Sequence, residues 1–376
     1  MPGHRAELLD SKKTLAPNTA SNLAILRLMK IALIAPPFIP VPPRKYGGTE
    51  LFVAELATAL YSEGVDVTVY TNGESMVEVP IKWLYERAEW PLSEEVEASL
   101  KGLNHAAWAM QDAAGNADII HLNNAPGLSV SRFVEAPLVY TVHHAHEPSL
   151  ADFYSVFPHV SYVTISRFQQ GKLKLPQMRA IHHGIDMSRY CLQERKQPYL
   201  SFLGRIAPPK GTHLAIEIAR DAGIPLKIAG EIQPCYRDYW ENMVKPHVDG
   251  KFIEYVGEVG LKEKNELLGN SLAMLFPVQW DEPFGLVMIE AMACGTPVLA
   301  MPGGAVAEVV QEGTGGHVRG AVGELAQCAR ELKIEARAIR RYVEKFFSAR
   351  RMARDYIHLY TELVGDEAST AVGLAA

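Results

Sequence analysis

Two glutamates set eight positions apart, Glu282 and Glu290, stand in the stretch Trp280-Asp-Glu-Pro-Phe-Gly-Leu-Val-Met-Ile-Glu-Ala-Met-Ala-Cys-Gly-Thr-Pro-Val298. Pro283 and the acidic pair before it suit a helix start, while Leu286, Val287, Ile289 and Met292 supply an apolar face and Gly295-Thr-Pro297 ends the helix. With Glu282 in the entry loop and Glu290 on the helix, a rise of about 1.5 Å per position puts the two up to roughly 12 Å apart. That is too far for one shared proton, and wider than the roughly 6.5–9.5 Å of an inverting glycosidase pair. The spacing suits the two ends of one long ligand. Backbone N–H groups of the helix start, around Phe284, Gly285 and Leu286, lie between the carboxylates and can meet a sugar or a phosphate. Taken alone, an amphipathic helix with a solvated glutamate at each end is the simpler reading.

Other segments add charge and hydrogen-bonding groups. Gly204-Arg205-Ile-Ala-Pro-Pro-Lys210-Gly211 carries two cations on one predicted loop, where they can stabilise negative charge growing on a leaving phosphate. Gly47-Gly48-Thr49-Glu50 opens a predicted helix, and glycine there lets a ligand reach the bare N–H groups at its positive end. A turn without a ligand explains that pair equally well. Thr141-Val-His143-His144-Ala-His146-Glu147 follows a predicted strand; on extended chain His144 and His146 share one face and His143 takes the other, which makes zinc the lesser reading. His121 and Asn123 end another predicted strand and are expected at a cleft rim, where they are candidates for acceptor contact; Ser166 and Arg167 are weaker ones.

The elements that must position these residues recur in two series. Lys30-Ile-Ala-Leu-Ile-Ala35, a helical pattern from Thr49 to Glu63 and Val65-Asp-Val-Thr-Val-Tyr70 form a βαβ unit, with the loop 36–48 at the carboxyl end of its first strand. Asp118–Leu122, Leu138–Val142 and Tyr162–Ile165 continue an open parallel sheet. A second series begins at Tyr199–Leu203, with strands expected at Pro225–Ala229, Ile253–Val256 and Ala273–Phe276 and helices at 211–222, 262–270 and 285–294. A linker is expected near 187–198, and two helices between Ala336 and Leu363.

The 376 residues are enough for two domains of ordinary size. A formal charge of −6 gives no global basic field, which argues against nucleic acid as a partner. Cys191, Cys235, Cys294 and Cys328 include no close pair, so neither a zinc site nor a disulfide framework is expected and a cytoplasmic setting is the simplest. No apolar run reaches the roughly 20 residues that span a bilayer. Residues 1–28 read as a disordered extension ahead of a start at Met29. Arg167, Lys172, Lys174 and Arg179 leave room for a peripheral contact with an anionic membrane face and a lipid acceptor, although an ordinary solvated face is the simpler account.

Taken together, the Glu-x7-Glu segment, Gly-Arg-x-x-x-x-Lys-Gly at 204–211 and Gly47-Gly48 resemble the retaining glycosyltransferases of family 4, and the resemblance runs through nearly the whole chain from Met29. It implies an α/β protein of GT-B fold, with two Rossmann-like domains facing across a cleft and a C-terminal helix crossing back to the first. Residues 29–190 plus about 352–376 would form the acceptor-side domain, and 191–351 the donor domain. The resemblance places the donor sugar at Glu282, the ribose at Glu290, the diphosphate at Arg205, Lys210 and Gly48, and a cleft histidine at His143. The base would lie near Val259, held partly through backbone atoms, and Glu50 becomes a further acceptor candidate. Two matches are imperfect. In Ile181-His-His-Gly184-Ile-Asp186, His183 replaces the usual Asn, with Gly184 read as a turn; in Gly303-Gly304-Ala-Val-Ala307-Glu308, Ala307 replaces a proline, which would loosen a helix start.

The resulting expectation is a hexosyltransferase that moves a sugar from a nucleotide-sugar donor to a glycan, lipid or small-molecule acceptor, with no metal or other cofactor. A front-face route, in which the leaving phosphate helps to deprotonate the acceptor, fits the lack of a clear carboxylate nucleophile. A nucleotide-sugar epimerase on the same fold and a non-catalytic nucleotide-sugar sensor are the rival readings. Donor base, acceptor and oligomeric state leave no readable trace.

Overall fold

The computed structural model describes residues 29–45, 47–90, 95–333 and 335–374; the expected N-terminal extension, 1–28, lies outside them. Among the described residues, seven parallel strands form a first sheet in the order β3-β2-β1-β4-β5-β6-β7. They are β1 (Lys30–Ile34), β2 (Asp66–Thr71), β3 (Ile81–Trp83), β4 (Ile119–Leu122), β5 (Leu138–Val142), β6 (Ser161–Thr164) and β7 (Met178–Ala180). Six more form a second parallel sheet, β10-β9-β8-β11-β12-β13. These are β8 (Leu200–Leu203), β9 (Leu226–Ala229), β10 (Ile253–Gly257), β11 (Ala273–Phe276), β12 (Val298–Ala300) and β13 (Gly316–Val318). The two Rossmann-like units make the α/β GT-B arrangement.

Strand β1 reads as unbroken apolar sequence because both of its faces are covered. Ile31 and Leu33 enter a core shared with the helix Gly48–Ser62, whereas Ala32 and Ile34 enter another that holds Ala109, Met110 and Ala113 of the helix Glu95–Ala113. That helix and strands β3, β7, β12 and β13 were not picked out from sequence. Each of those strands has only three residues, too few for period-two alternation to stand out.

The C-terminal helix Ala349–Leu374 crosses back: Met352, Ala353, Tyr356, Leu359 and Tyr360 are buried in the core of the first unit. The chain therefore passes twice between the units, and the two passages touch. Ile185 N–H donates to Phe347 C=O, and Ala349 N–H donates to Ile185 C=O, each at 2.9 Å. Gly184 is needed there for close approach and not for a turn, since a Cβ on it would lie 2.4 Å from the Ser348 carbonyl oxygen. Arg351 fastens the crossing by donating to the carbonyls of His182 at 2.7 Å and His183 at 2.8 Å.

In both sheets the first strand lies between neighbours reached by connections in opposite directions, β2 and β4 around β1, β9 and β11 around β8. Such switch points leave a crevice beyond the carboxyl ends of the strands, where open α/β sheets bind ligands. Residues 36–45 and 47 after β1, and the loops 204–211 after β8 and 277–285 after β11, emerge there.

Candidate active site

The three switch-point loops and the segment after β5 border one cleft with two compartments. The first is lined by Gly47, Gly48, Tyr190, Val259, Lys264 and Glu290 among others, and the second by His143, His183, Arg205, Lys210, Trp280 and Glu282. Gly48, Leu203, Gly204, Leu286 and Val287 face both, so the compartments are continuous. Phe284 and Gly285 line the second; the Phe284 side chain is buried against His183 and Phe347, so its backbone is the part available to a ligand.

Glu282 and Glu290 occupy separate compartments, and each has a complete set of partners on one oxygen. Glu282, 6% exposed, accepts on Oε2 from Lys210 Nζ at 2.5 Å and from Trp280 Nε1 at 2.9 Å. Lys210 also sits 4.7 Å from the centre of the Trp280 ring, where the aromatic face favours a cation. Glu290, 1% exposed, accepts on Oε1 from Lys264 Nζ at 2.6 Å and from the Tyr190 hydroxyl at 2.8 Å. Burial and the adjacent Glu290 carboxylate hold the Tyr190 hydroxyl well above its usual range, so it stays a donor. Neither Glu282 Oε1 nor Glu290 Oε2 has a hydrogen-bond partner among the described residues. Sequence reasoning passed over Lys264 and Tyr190 because neither belongs to a motif or shares a periodic face with Glu290; Trp280 opens the Glu282 segment, but its indole contact is not readable from spacing.

Lys210 ends a short 3-10 turn, Pro208–Lys210, and Gly211 in a left-handed conformation starts the following helix, Thr212–Ala222. Arg205 Nη1 lies 3.4 Å from Gln233 Oε1, which anchors it to the loop after β9. The loop after β8 thus carries both cations to the wall that holds Glu282.

Gly47 precedes the helix Gly48–Ser62 with φ 148°, a conformation open mainly to glycine, and a Cβ there would approach Pro43 at 2.8 Å and Glu50 Oε2 at 2.9 Å. Glu50, expected as an acceptor candidate, is not brought to the cleft. It is 5% exposed, lines neither compartment, and turns its carboxylate back to its own N–H at the helix start. Burial raises its pKa to about 7, against the smaller opposing effect of that hydrogen bond.

The histidines sort by depth. His121 is not at the cleft rim; it is fully buried in β4, with Nδ1 2.7 Å from the Tyr360 hydroxyl and Nε2 2.7 Å from Thr141 Oγ1. The crossing helix covers that face of the sheet, and desolvation lowers the pKa of His121 to about 3. Asn123 does not meet the cleft directly either. Its amide nitrogen lies 3.4 Å from the His121 carbonyl, and its Oδ1 lies 3.0 Å from His143 Nε2. With the amide oxygen accepting, His143 carries its proton on Nε2 and keeps a lone pair on Nδ1. Burial, then the nearby His183, His144 and His121, hold His143 well below the usual histidine range, so it is neutral. His183 stacks on it at 5.7 Å.

Glu308 has a role that the altered motif around Ala307 concealed. Its carboxylate reaches from the second unit to the first, accepting from Arg167 N–H at 2.9 Å and Phe168 N–H at 2.5 Å and lying 2.9 Å from His182 Nε2. It caps the helix Arg167–Lys172 across the gap, together with Ser166, whose hydroxyl accepts from Gln169 N–H at 3.1 Å. This commits the Ser166 hydroxyl, one of the weaker acceptor candidates, to the helix cap, and of Arg167 it takes only the backbone amide. Lys45 Nζ and Glu258 Oε1, 3.4 Å apart, bridge the units at the outer edge of the first compartment. Among the described residues, no group of three or more His, Cys, Asp or Glu is arranged to hold a metal, and no helix is long and apolar enough to cross a membrane.

Two family models match the chain in tandem. The model described as Glycosyltransferase Family 4 matches residues 46–189, and the one described as Glycosyl transferases group 1 matches 191–343. The chain is similar to glycogen synthase from Mycobacterium tuberculosis, at 24% identity over 377 residues covering 83% of this chain and 86% of that protein. It is also similar to phosphatidyl-myo-inositol mannosyltransferase from Mycobacterium leprae, 25% identical over 331 residues, 77% of this chain and 83% of that one. Among solved structures, HepE from Anabaena in complex with UDP and glucose has the same fold at a TM-score of 0.70 and 18% identity, covering 89% of this chain and 100% of that one.

Proposed function

The chain belongs to the group 1 glycosyltransferases and is an enzyme that transfers sugars; from that premise we propose that it takes the sugar from a nucleotide-sugar donor and transfers it with retained anomeric configuration. The observation that carries this reading is the pair of half-engaged glutamates in one continuous cleft, Glu282 beside Arg205 and Lys210 in one compartment and Glu290 in the other. In it, Glu282 Oε1 accepts from hydroxyls of the donor sugar and Glu290 Oε2 from the ribose. Arg205, Lys210 and the Gly48 amide take the diphosphate, and the backbone around Val259 takes the base. The complex of HepE with UDP and glucose supports such a donor, as a statement about that protein.

As the bond from the anomeric carbon to the leaving phosphate oxygen breaks, negative charge grows on the phosphate, where two fixed cations stabilise it more than they stabilise the intact donor. Glu282 is committed to Lys210 and Trp280 and is poorly placed to serve as a nucleophile. The acceptor hydroxyl then attacks on the face the phosphate leaves, and its proton passes to that phosphate. Neutral His143, with a free lone pair on Nδ1, receives a hydroxyl of the sugar. The acceptor is a hydroxyl of a glycan, a lipid or a small molecule. Arg205 and Lys210 supply the charge a divalent ion would otherwise bring, so turnover should survive EDTA.

A panel of nucleotide sugars, first by thermal shift and then by release of nucleoside diphosphate in the absence of acceptor, tests the reading. Slow donor hydrolysis whose first sugar product keeps the donor's anomeric configuration by NMR supports it. Binding without hydrolysis or transfer for any donor would reject the donor assignment, and an inverted first product would reject retention.

A further inference from the structure

Lys264 and Tyr190 reach the cleft from elements that share no motif: Lys264 from the helix Leu261–Asn270, Tyr190 from the first passage between the units. Both contact the same atom, Glu290 Oε1, at 2.6 and 2.8 Å. The carboxylate is buried yet lines the first compartment, and its other oxygen has no partner among the described residues.

Two donors on one oxygen fix more than one would. A carboxylate held by two donors on one oxygen cannot turn about its last torsion without losing both bonds, one of them to a lysine. What remains is a single acceptor-only oxygen at a set position, the complement of a hydroxyl donor. A ligand that lacks the hydroxyl leaves that buried oxygen unpaired, and a polar site so arranged discriminates against such ligands strongly. We infer that Lys264 and Tyr190 are positioning residues that aim Glu290 at the ribose hydroxyls and thereby set a preference for ribonucleotide over deoxyribonucleotide donors. The inference rests on the donor reading given above.

Calorimetric titration of the full chain with UDP, GDP and ADP and with their 2′-deoxy and 3′-deoxy forms tests it. Wild type should prefer the ribonucleotide by about tenfold or more for the base it binds, the value of a hydrogen bond to a charged group. In Tyr190→Phe, which keeps the ring in place, and in Lys264→Met, the preference should fall to about threefold or less, through weaker ribonucleotide binding and not stronger deoxynucleotide binding. Lys264→Arg should keep it. Equal weakening of ribo and deoxy forms in both variants would make the two residues merely structural and overturn the inference. Glu290→Gln separates it from its premise. Should that variant keep the wild-type preference, the ribose role of Glu290 fails; should it lose the preference while Tyr190→Phe and Lys264→Met retain it, only the inference fails. Wild type that binds none of the three nucleotides rejects both.

Discussion

Glu282 and Glu290 each present one carboxylate oxygen to the cleft, because a lysine and an aromatic donor hold the other: Lys210 with Trp280, and Lys264 with Tyr190. The duplication has an electrostatic reason. A carboxylate nearly removed from water needs a compensating charge, and a hydrogen bond from an indole or phenol completes one oxygen without adding a second charge. The site thus buries two carboxylates while leaving one oxygen of each open to ligand hydroxyls.

Lys210 holds Glu282 and, in the proposed mechanism, also meets the leaving phosphate, so its loss should be severe. Lys210→Ala is expected to lower turnover by about 10²–10³-fold, the range for removing one preorganised electrostatic contact, while circular dichroism reports a folded protein. Steady-state kinetics on the donor identified by the nucleotide-sugar panel makes the check. Unchanged turnover would remove Lys210 from the mechanism.

Glu308 should matter to the posture of the two units more than to chemistry. Glu308→Ala removes a helix cap worth about 0.5–2 kcal/mol and the contact with His182, and it should raise the small-angle scattering radius of the ligand-free protein. The hydrogen bonds from His182 and the two amides hold this carboxyl below its ordinary range in spite of partial burial. A depressed carboxyl pKa stabilises the fold above the unfolded value, near 4.5, and that stabilisation is lost as pH falls through the folded value. The wild type and Glu308→Ala should therefore converge in melting temperature as pH is lowered through this window. Equal radii, or a constant melting difference, would argue against the latch.

How much of this was readable before the fold depended on range along the chain. Glu282 and Glu290 lie on one segment, and Arg205 and Lys210 on one loop, so residue types and spacing pointed to them directly. The two-sheet architecture followed from short apolar runs that end in glycine and proline. Lys264 and Tyr190 lie 26 and 100 positions from Glu290, and nothing local ties them to it. His121 was misjudged for the same reason: a strand end looks open until the helix Ala349–Leu374 lays Tyr356 and Tyr360 over that face. Glu50 was misjudged because its carboxylate folds back on the helix start, which spacing alone does not report.

The position of Glu50 gives a pH signature. Its folded pKa, about 7, lies above the unfolded value of 4.5, so the native state holds an extra proton between the two. The associated stability is complete below about pH 4.5 and is lost as pH rises through about 7. Glu50→Gln mimics the protonated form. It should match wild type in urea denaturation near pH 4.5 and exceed it by on the order of 3 kcal/mol at pH 8. The variant removes only the Glu50 contribution, so the opposite titrations of buried His121 and His183 cancel in the comparison. An equal difference at both pH values would mean that Glu50 is solvated.

Gly48 offers a test in which folding and ligand binding pull apart. Unlike Gly47 it has no left-handed backbone, and a Cβ built on it meets nothing closer than Leu286 Cδ1 at 3.9 Å, because the atom would project into the cleft. The fold has room for alanine, and a Gly-to-Ala change at a compatible position stabilises by about 0.4–1 kcal/mol. A diphosphate drawn to the amides at this helix start has no such room, since it must approach the bare backbone. Gly48→Ala should therefore melt at or above the wild-type temperature while its affinity for nucleoside diphosphate and its donor turnover both fall by about tenfold or more, the loss of one charge-assisted contact. A variant of wild-type stability and wild-type donor affinity would place the diphosphate elsewhere and undo the alignment of sugar, phosphates and ribose between Glu282 and Glu290.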